Sequence, residues 1–277
     1  MTFRFWDLVN ITGNWQLGTG NWKLETDNAP EPLDSASRLT ADNEAILHTL
    51  THGDLRLEGQ FQWGSNYTFL VTATGPLGEV RGVYKPQQGE RPLWDFPYGT
   101  LAAREVAAYR TSSALGWDLV PPTVLRPDGP AGPGSLQLFL DIDPERHVFT
   151  FADEDRQRLR PTVAFDVLIN NADRKGGHVL RAPDGHIWLI DHGISFHEDD
   201  KLRTVLWDFA GEPIPAGLLS DLGRFAHALN EGALDARYAN LLTGGETQAM
   251  ARRAEKLLAD GVFPAPGPGR PYPWPLV

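Results

Sequence analysis

The feature that most constrains the fold of this chain is residues 170–193, NNADRKGGHVLRAPDGHIWLIDHG. Two strand-like runs, HVLRA and HIWLID, flank the turn-forming PDG, and this pattern predicts a β-hairpin. A hairpin returns the chain to its starting point, so the polar residues before and after it meet at its open end. We therefore expect Asp173 and Asp191 to lie at one site.

The spacing of polar residues around this hairpin fits the chemistry of phosphoryl transfer. His178 follows Asp173 by five positions (178 − 173 = 5), and Asp191 is followed by His192 and Gly193. Kinases place a catalytic aspartate in one loop, a metal-binding residue five positions later, and a metal-binding aspartate after the hairpin. Phosphoryl transfer needs two such carboxylates, one free to act as base and one bound to a metal, because positioning and charge supply most of the catalysis in this reaction.

Upstream of the hairpin, the sequence predicts a sheet followed by a helix. Residues 55–86 have the pattern of a three-stranded β-meander, and residues 100–116 that of a helix ended by Gly116. Lys85 lies at the end of the third strand and Glu105 on the helix. A kinase needs a strand lysine for the nucleotide phosphates and a helix carboxylate to orient that lysine.

The turn between the first two strands reads Gly64-Ser65-Asn66. Its backbone N–H groups and hydroxyl are suited to phosphate oxygens, although ordinary hairpin turns have the same composition. Two further strands are predicted in LVPPTVL and SLQLFL, and further helices are predicted at residues 40–53, 153–171, 215–231 and 246–260.

In this order, the motifs resemble the kinase domain of the phosphatidylinositol 3-/4-kinase superfamily, in the reduced form of small bacterial proteins. The resemblance rests on GSNYTFLV, GVYKP, REVAAY, SLQLFL, NNADRKGGHVL and IDHG, and covers roughly residues 55–260. It implies an α+β, bilobal, protein-kinase-like fold with a β-rich N-lobe and a mainly helical C-lobe. The expected regions are an N-terminal arm with a short helix, the N-lobe, the C-lobe and a proline-rich tail, at residues 1–54, 55–140, 141–261 and 262–277.

The resemblance implies a binding site for ATP between the lobes. Lys85 would contact the ATP phosphates and Glu105 would orient that lysine, while Ser65 and Asn66 would lie in the phosphate-binding turn. The SLQLFL strand would supply the hinge that contacts adenine.

The resemblance also implies the catalytic and metal-binding residues. Asp173 would be the catalytic aspartate, and Arg174 would match the arginine of the same loop motif and brace it. Asp191 would be the principal ligand of Mg²⁺ or Mn²⁺, with His178 as the second ligand.

Two departures from the family pattern affect the expected chemistry. His178 stands where the family has a metal-binding asparagine, and imidazole suits Mn²⁺ or Zn²⁺ better than Mg²⁺. After the DHG motif, Lys201 and Arg203 stand beside the acidic residues 198–200, so no dense basic patch is available for an inositol phosphate. We therefore expect a protein or small-molecule acceptor.

Composition excludes several other classes of protein. The formal net charge of −11 opposes binding to nucleic acid or to anionic membranes. Because the chain has no cysteine, disulfides, thiolate metal sites and cysteine nucleophiles are excluded. No apolar run approaches the length of a membrane span and no secretory signal is visible, so we expect a cytoplasmic protein without integral membrane association.

Other functions remain open on the sequence alone. A kinase-like module that binds nucleotide without transferring phosphate would be consistent with the asparagine-to-histidine change, and transfer of AMP would use the same residues with the nucleotide reversed. A metallohydrolase with histidine and aspartate ligands is a further alternative, because four histidines fall close together: His178, His186, His192 and His197. Its weakness is that His186 belongs to the far turn of the predicted hairpin.

Overall fold

The computed structural model describes residues 8–10, 35–61, 66–76 and 78–277. The strands are β1 Leu8–Asn10, β2 Asp54–Phe61, β3 Phe69–Gly75, β4 Gly78–Pro86, β5 Thr123–Gly129, β6 Gly132–Leu138, β7 Val179–Arg181 and β8 Ile187–Leu189. The α-helices are α1 Ser35–His52, α2 Leu101–Leu115, α3 Asp153–Gln157, α4 Arg160–Ile169, α5 Ala216–Asn230, α6 Asp235–Tyr238 and α7 Gly244–Asp260.

Strands β1 to β6 form one antiparallel sheet in the order β1-β2-β3-β4-β6-β5. The predicted meander is confirmed as β2, β3 and β4, in which Phe69 pairs with Tyr84 and Thr74 with Glu79. Lys85 therefore lies near the end of a central strand, where it pairs with Ser135 of β6.

Helix α1 packs on this sheet. Its residue Leu50 forms a buried cluster with Val71, Tyr84 and Leu136 from β3, β4 and β6. Arg126 of β5 donates hydrogen bonds to the carbonyls of Leu50 and of the following loop, which satisfies the carbonyl end of the helix.

Helix α2 joins the sheet to the helical part of the molecule. It contacts β5 and β6 on one side and α5 and α6 on the other. The predicted end at Gly116 is confirmed, because this residue has a left-handed backbone (φ 70°) and donates its N–H to carbonyls of the last turn.

The second half of the chain is built on one large apolar core. Buried residues of α2, α4, α5 and α7 meet the small hairpin β7–β8 there, among them Phe165, Leu189 and Met250. Within the residues described, no helix has the length and hydropathy needed to cross a bilayer.

The prediction of one helix over residues 153–171 is wrong. The segment forms two helices, α3 and α4, with a break near Arg158. Pro161 lies in the first turn of α4, where its missing N–H costs nothing, whereas inside one continuous helix it would remove a hydrogen bond and clash with the preceding turn.

The proline-rich tail is docked on the rest of the molecule. Its carbonyl groups at Pro271 and Leu276 accept hydrogen bonds from the N–H groups of Thr204 (3.0 Å) and Gly176 (2.7 Å). The tail therefore lies against the loop before the hairpin and against the segment that follows it.

Candidate functional site

One cleft between the six-stranded sheet and the helical region brings together most of the residues singled out in the sequence. Residues from β4, the start of α2, the loop before β7 and the segment after β8 line it. Its charged and amide side chains are those of Asn66, Lys85, Glu90, Glu105, Asp173, Lys175 and Asp191.

Lys85 is the central cation of this cleft. Its Nζ donates hydrogen bonds to Glu105 Oε1 at 2.5 Å and to Asp191 Oδ1 at 3.0 Å. Burial alone would lower the pKa of Lys85, but the negative charges of Asp191 and Glu105 outweigh burial and hold it above its ordinary value. Strand β4, helix α2 and the segment after β8 thus meet at a single ammonium group.

The two carboxylates bound to Lys85 are held in their ionised form. Burial opposes ionisation of Glu105, but the adjacent Lys85 charge lowers its pKa to about 2. For Asp191 the opposing effect of burial is likewise outweighed, chiefly by Lys85, and its pKa lies below the usual range. The second oxygen of Glu105 accepts the backbone N–H of His192 at 2.8 Å, which ties α2 to the residue after Asp191.

Asp173 lies in the same cleft with a cation of its own. Its Oδ2 is 3.1 Å from Lys175 Nζ, and its backbone N–H donates to Asn171 Oδ1 at 2.9 Å. Burial raises the pKa of Asp173, and the charge of Lys175 opposes that rise. The carboxylate is therefore paired with a lysine of its own loop and is more basic than an exposed aspartate.

Arg174 lies beneath the cleft and does not line it. The side chain is fully buried, and its Nε and Nη2 donate to the carboxylate of Asp166 at 3.0 Å each. Its Nη1 donates to the carbonyl of Ile190 at 2.8 Å, directly before Asp191. The sequence motif placed Arg174 with the catalytic residues, and the contacts are those of a brace between the loop and the hairpin.

His178 contacts the carboxylate proposed as metal ligand. Its Nε2 lies 3.3 Å from Asp191 Oδ2. Burial lowers the pKa of His178 to about 3, despite the opposing attraction of Asp191, so the imidazole is neutral at neutral pH and keeps a lone pair. One carboxylate and one neutral imidazole at this spacing fit a divalent ion of the Mn²⁺ type.

Of the two predicted phosphate-turn residues, the structure describes one. Asn66 lines the cleft, and its Oδ1 accepts the backbone N–H of Arg91 at 2.7 Å, which joins this turn to the loop after β4. Ser65 lies outside the described residues.

The four histidines do not converge. His186 bonds the carbonyl of Asp118 at 2.8 Å, and His197 bonds the carbonyl of Asp95 at 3.0 Å. His192 is buried against the ring of Phe165. Across the described ranges, no three histidine, aspartate or glutamate side chains are grouped so as to hold a metal ion.

Sequence reasoning did not identify three residues that shape the site. Lys175 could have been found from its position two residues after Asp173. Glu90, which accepts the N–H of Ala102 at the start of α2 (3.0 Å), and Asp166, the partner of Arg174, carry no motif. Their roles depend on contacts between segments that are distant or unremarkable in the sequence.

Comparison with solved structures supports the kinase-like architecture. The crystal structure of the Golgi casein kinase with Mn/ADP bound is similar with a TM-score of 0.52 and 17% identity, over 80% of this chain and 75% of that chain. A second crystal structure of the Golgi casein kinase gives a TM-score of 0.51 at 16% identity. At such low identity the likeness concerns the fold, and it confirms the predicted α+β, bilobal kinase-like class.

Comparison with curated sequences gives one local likeness to a lipid kinase. Phosphatidylinositol 4-kinase gamma 4 of Oryza sativa subsp. japonica is 30% identical over 154 residues, which are 48% of this chain and 27% of the rice protein. Because the match spans about a quarter of the rice protein, membership of the phosphatidylinositol 3-/4-kinase superfamily stays a prediction.

No family model matches the sequence. A second relative, however, matches along most of its length. Protein Rv2133c of Mycobacterium tuberculosis is 42% identical over 275 residues, which are 87% of this chain and 97% of the mycobacterial protein. The chain therefore belongs to the same family as protein Rv2133c.

Proposed function

We propose that this chain is a phosphotransferase that uses ATP and a divalent metal ion and transfers the γ-phosphoryl group to a hydroxyl of a protein or small molecule. The observation that carries the proposal is the pairing of Lys85 with both Glu105 and Asp191 in the cleft that also contains Asp173. Three separate parts of the fold supply these charges, and phosphoryl transfer needs this set of groups.

In this proposal Lys85 binds phosphate oxygens of ATP, and Glu105 holds the ammonium group in position. Asp191 and His178 would hold the metal ion, Mg²⁺ or Mn²⁺, which supplies positive charge to the phosphate oxygens. The donor set, one carboxylate and one neutral imidazole, favours Mn²⁺ over Mg²⁺. The Golgi casein kinase structure, with Mn/ADP bound, is consistent with this assignment.

Asp173 would act on the acceptor. Its carboxylate orients the acceptor hydroxyl and takes its proton while the hydroxyl oxygen bonds to the γ-phosphorus and the bond from that phosphorus to the bridging oxygen of ADP breaks. Lys175, 3.1 Å from this carboxylate, adds positive charge beside the transferred group. Arg174 would keep the loop and the hairpin in register.

The test is thermal unfolding with ATP and either Mg²⁺ or Mn²⁺, on the wild-type protein and on Lys85→Met and Asp191→Asn. A ligand at 100 times its Kd adds about 2.7 kcal/mol, so we expect a metal-dependent rise in Tm that both variants lose. Lys256→Met is the matched control, because Lys256 forms an exposed pair with Asp260 on α7. Equal nucleotide responses in all four proteins would refute the site.

Transfer is tested separately with ATP labelled at the γ- or α-phosphate. Label from the γ-position on the protein or on an added acceptor, with release of ADP, supports the proposal. Label from the α-position would replace it with AMP transfer. Nucleotide binding without either product, across both metals and a panel of acceptors, would assign a binding module.

A further inference from the structure

The residue before Glu105 on α2 makes a separate set of contacts that points to its function. Arg104 is almost completely buried (2% exposed), although it is an arginine beside the cleft. Its Nη2 donates to Glu246 Oε1 and its Nη1 to the carbonyl of Ser195. Its guanidinium also lies over the ring of Phe96, 4.9 Å from the centroid.

Glu246 is the fixed partner in this arrangement. It lies in the first turn of α7, where its Oε2 accepts the backbone N–H of Thr243 at 2.8 Å and its own N–H donates to the Thr243 hydroxyl. This capping box holds the glutamate to the helix end. One carboxylate therefore caps α7 with one oxygen and binds α2 with the other.

Arg104 binds the segment that follows Asp191 as well as Glu246. Ser195 lies four positions after Asp191, and its carbonyl is bound by Arg104. Glu105 accepts the N–H of His192 in the same segment. Consecutive residues of α2 thus bind the segment after β8 at two points, and Arg104 connects that contact to α7.

We infer that Arg104 and Glu246 are positioning residues, whose buried ion pair ties α2 to the C-terminal helices and so keeps Glu105 on Lys85. The inference rests on the proposed function. Breaking a buried pair leaves an uncompensated charge, so α2 has one strongly favoured position relative to α7.

The experiment compares Glu246→Gln and Arg104→Lys with Arg110→Lys. Arg110 is the matched control, because it also lies on α2 and binds a backbone carbonyl of the helical region, that of Arg237, but more than a turn beyond Glu105. Glutamine at residue 246 can keep the capping box while removing the charge that binds Arg104.

Two readouts are measured on each protein, the Kd for ATP with Mn²⁺ and hydrogen exchange of the amides of residues 101–106. We expect Glu246→Gln and Arg104→Lys to weaken nucleotide binding roughly tenfold, within the usual range of coupling between sites, and to speed exchange in this first part of α2. The double variant is expected to bind nucleotide no more weakly than the weaker-binding single variant, because the two residues act through one ion pair. Arg110→Lys is expected to leave both readouts near wild type.

The inference is overturned if Glu246→Gln and Arg104→Lys lower Tm but change the Kd and the exchange of residues 101–106 no more than Arg110→Lys does. A wild-type protein that binds no nucleotide would refute the proposed function instead, and the exchange measurement would still decide whether Arg104 and Glu246 hold the start of α2. The two failures are therefore distinguishable.

Discussion

The imidazole Nε2 of His178 lies 3.3 Å from Asp191 Oδ2, so the residue that ends the loop before β7 meets the segment that follows β8. These two residues, one before and one after the hairpin, meet at its open end. Because the Nδ1 of the neutral imidazole accepts the backbone N–H of Lys175, its Nε2–H is the group that faces the Asp191 carboxylate.

Replacing His178 with asparagine is expected to change the metal preference of the site. An amide oxygen suits Mg²⁺ better than an imidazole nitrogen does, so His178→Asn should increase the nucleotide-dependent rise in Tm with Mg²⁺ relative to that with Mn²⁺. The control is His186→Asn at the far turn of the hairpin, where the ring bonds Asp118. An unchanged ratio of the two responses would show that His178 does not contact the metal.

Asp173→Asn is expected to separate nucleotide binding from transfer. The variant removes the proton acceptor but leaves Lys85 and Asp191 unchanged, so the nucleotide-dependent rise in Tm should remain, while transfer falls by about 10²- to 10⁴-fold. Radiolabel transfer and thermal unfolding are measured on the same samples. A parallel loss of both would mean that Asp173 binds the nucleotide instead of acting on the acceptor.

Arg174→Met is expected to destabilise the fold strongly. It would leave the buried carboxylate of Asp166 without its cation, which costs about 3–5 kcal/mol in the free energy of unfolding. The comparison is Arg56→Ala, which breaks the exposed pair with Glu58 on β2 and should cost no more than about 1 kcal/mol. Urea unfolding of the two variants gives the difference directly, and similar costs would contradict the bracing role.

Glu90→Gln is expected to change how stability depends on pH. Burial raises the pKa of Glu90, although the N–H groups at the start of α2 oppose that rise. The native state therefore holds this proton more tightly than the unfolded chain does, so stability is lost as pH rises from the unfolded to the folded pKa. The glutamine side chain does not ionise, so the variant has no such loss of stability. The variant should gain Tm relative to wild type at pH 8 and lose that advantage near pH 4, and a constant difference would show that Glu90 does not titrate in this way.

The order of elements around the site was predictable because the signals are local. The alternation of β2 to β4, the glycine that ends α2 and the turn between β7 and β8 each depend on residues a few positions apart. They place Lys85 near a strand end, Glu105 on the next helix and Asp191 after the hairpin, as expected. The roles of these residues in catalysis stay predictions.

The errors and omissions arose where several segments act together. A helical pattern continued through Pro161, but only packing decides whether a proline kinks one helix or begins another. Arg174 carried a motif, yet its burial follows from Asp166 on α4 and Ile190 on the hairpin. Glu90 had no signal, because its partner is a backbone N–H of α2.

The sequence by itself determined the types of element, their order and the presence of charged residues at their ends, because helix, strand and turn preferences act between near neighbours. Only the tertiary structure decided which charges meet. Lys85, Glu105 and Asp191 are up to 106 positions apart, and the positions of Arg104 on Glu246 and of Arg174 on Asp166 are set by the burial of whole helices. A buried charge must find a partner, and the partner available is the one that packing of the entire fold brings within reach.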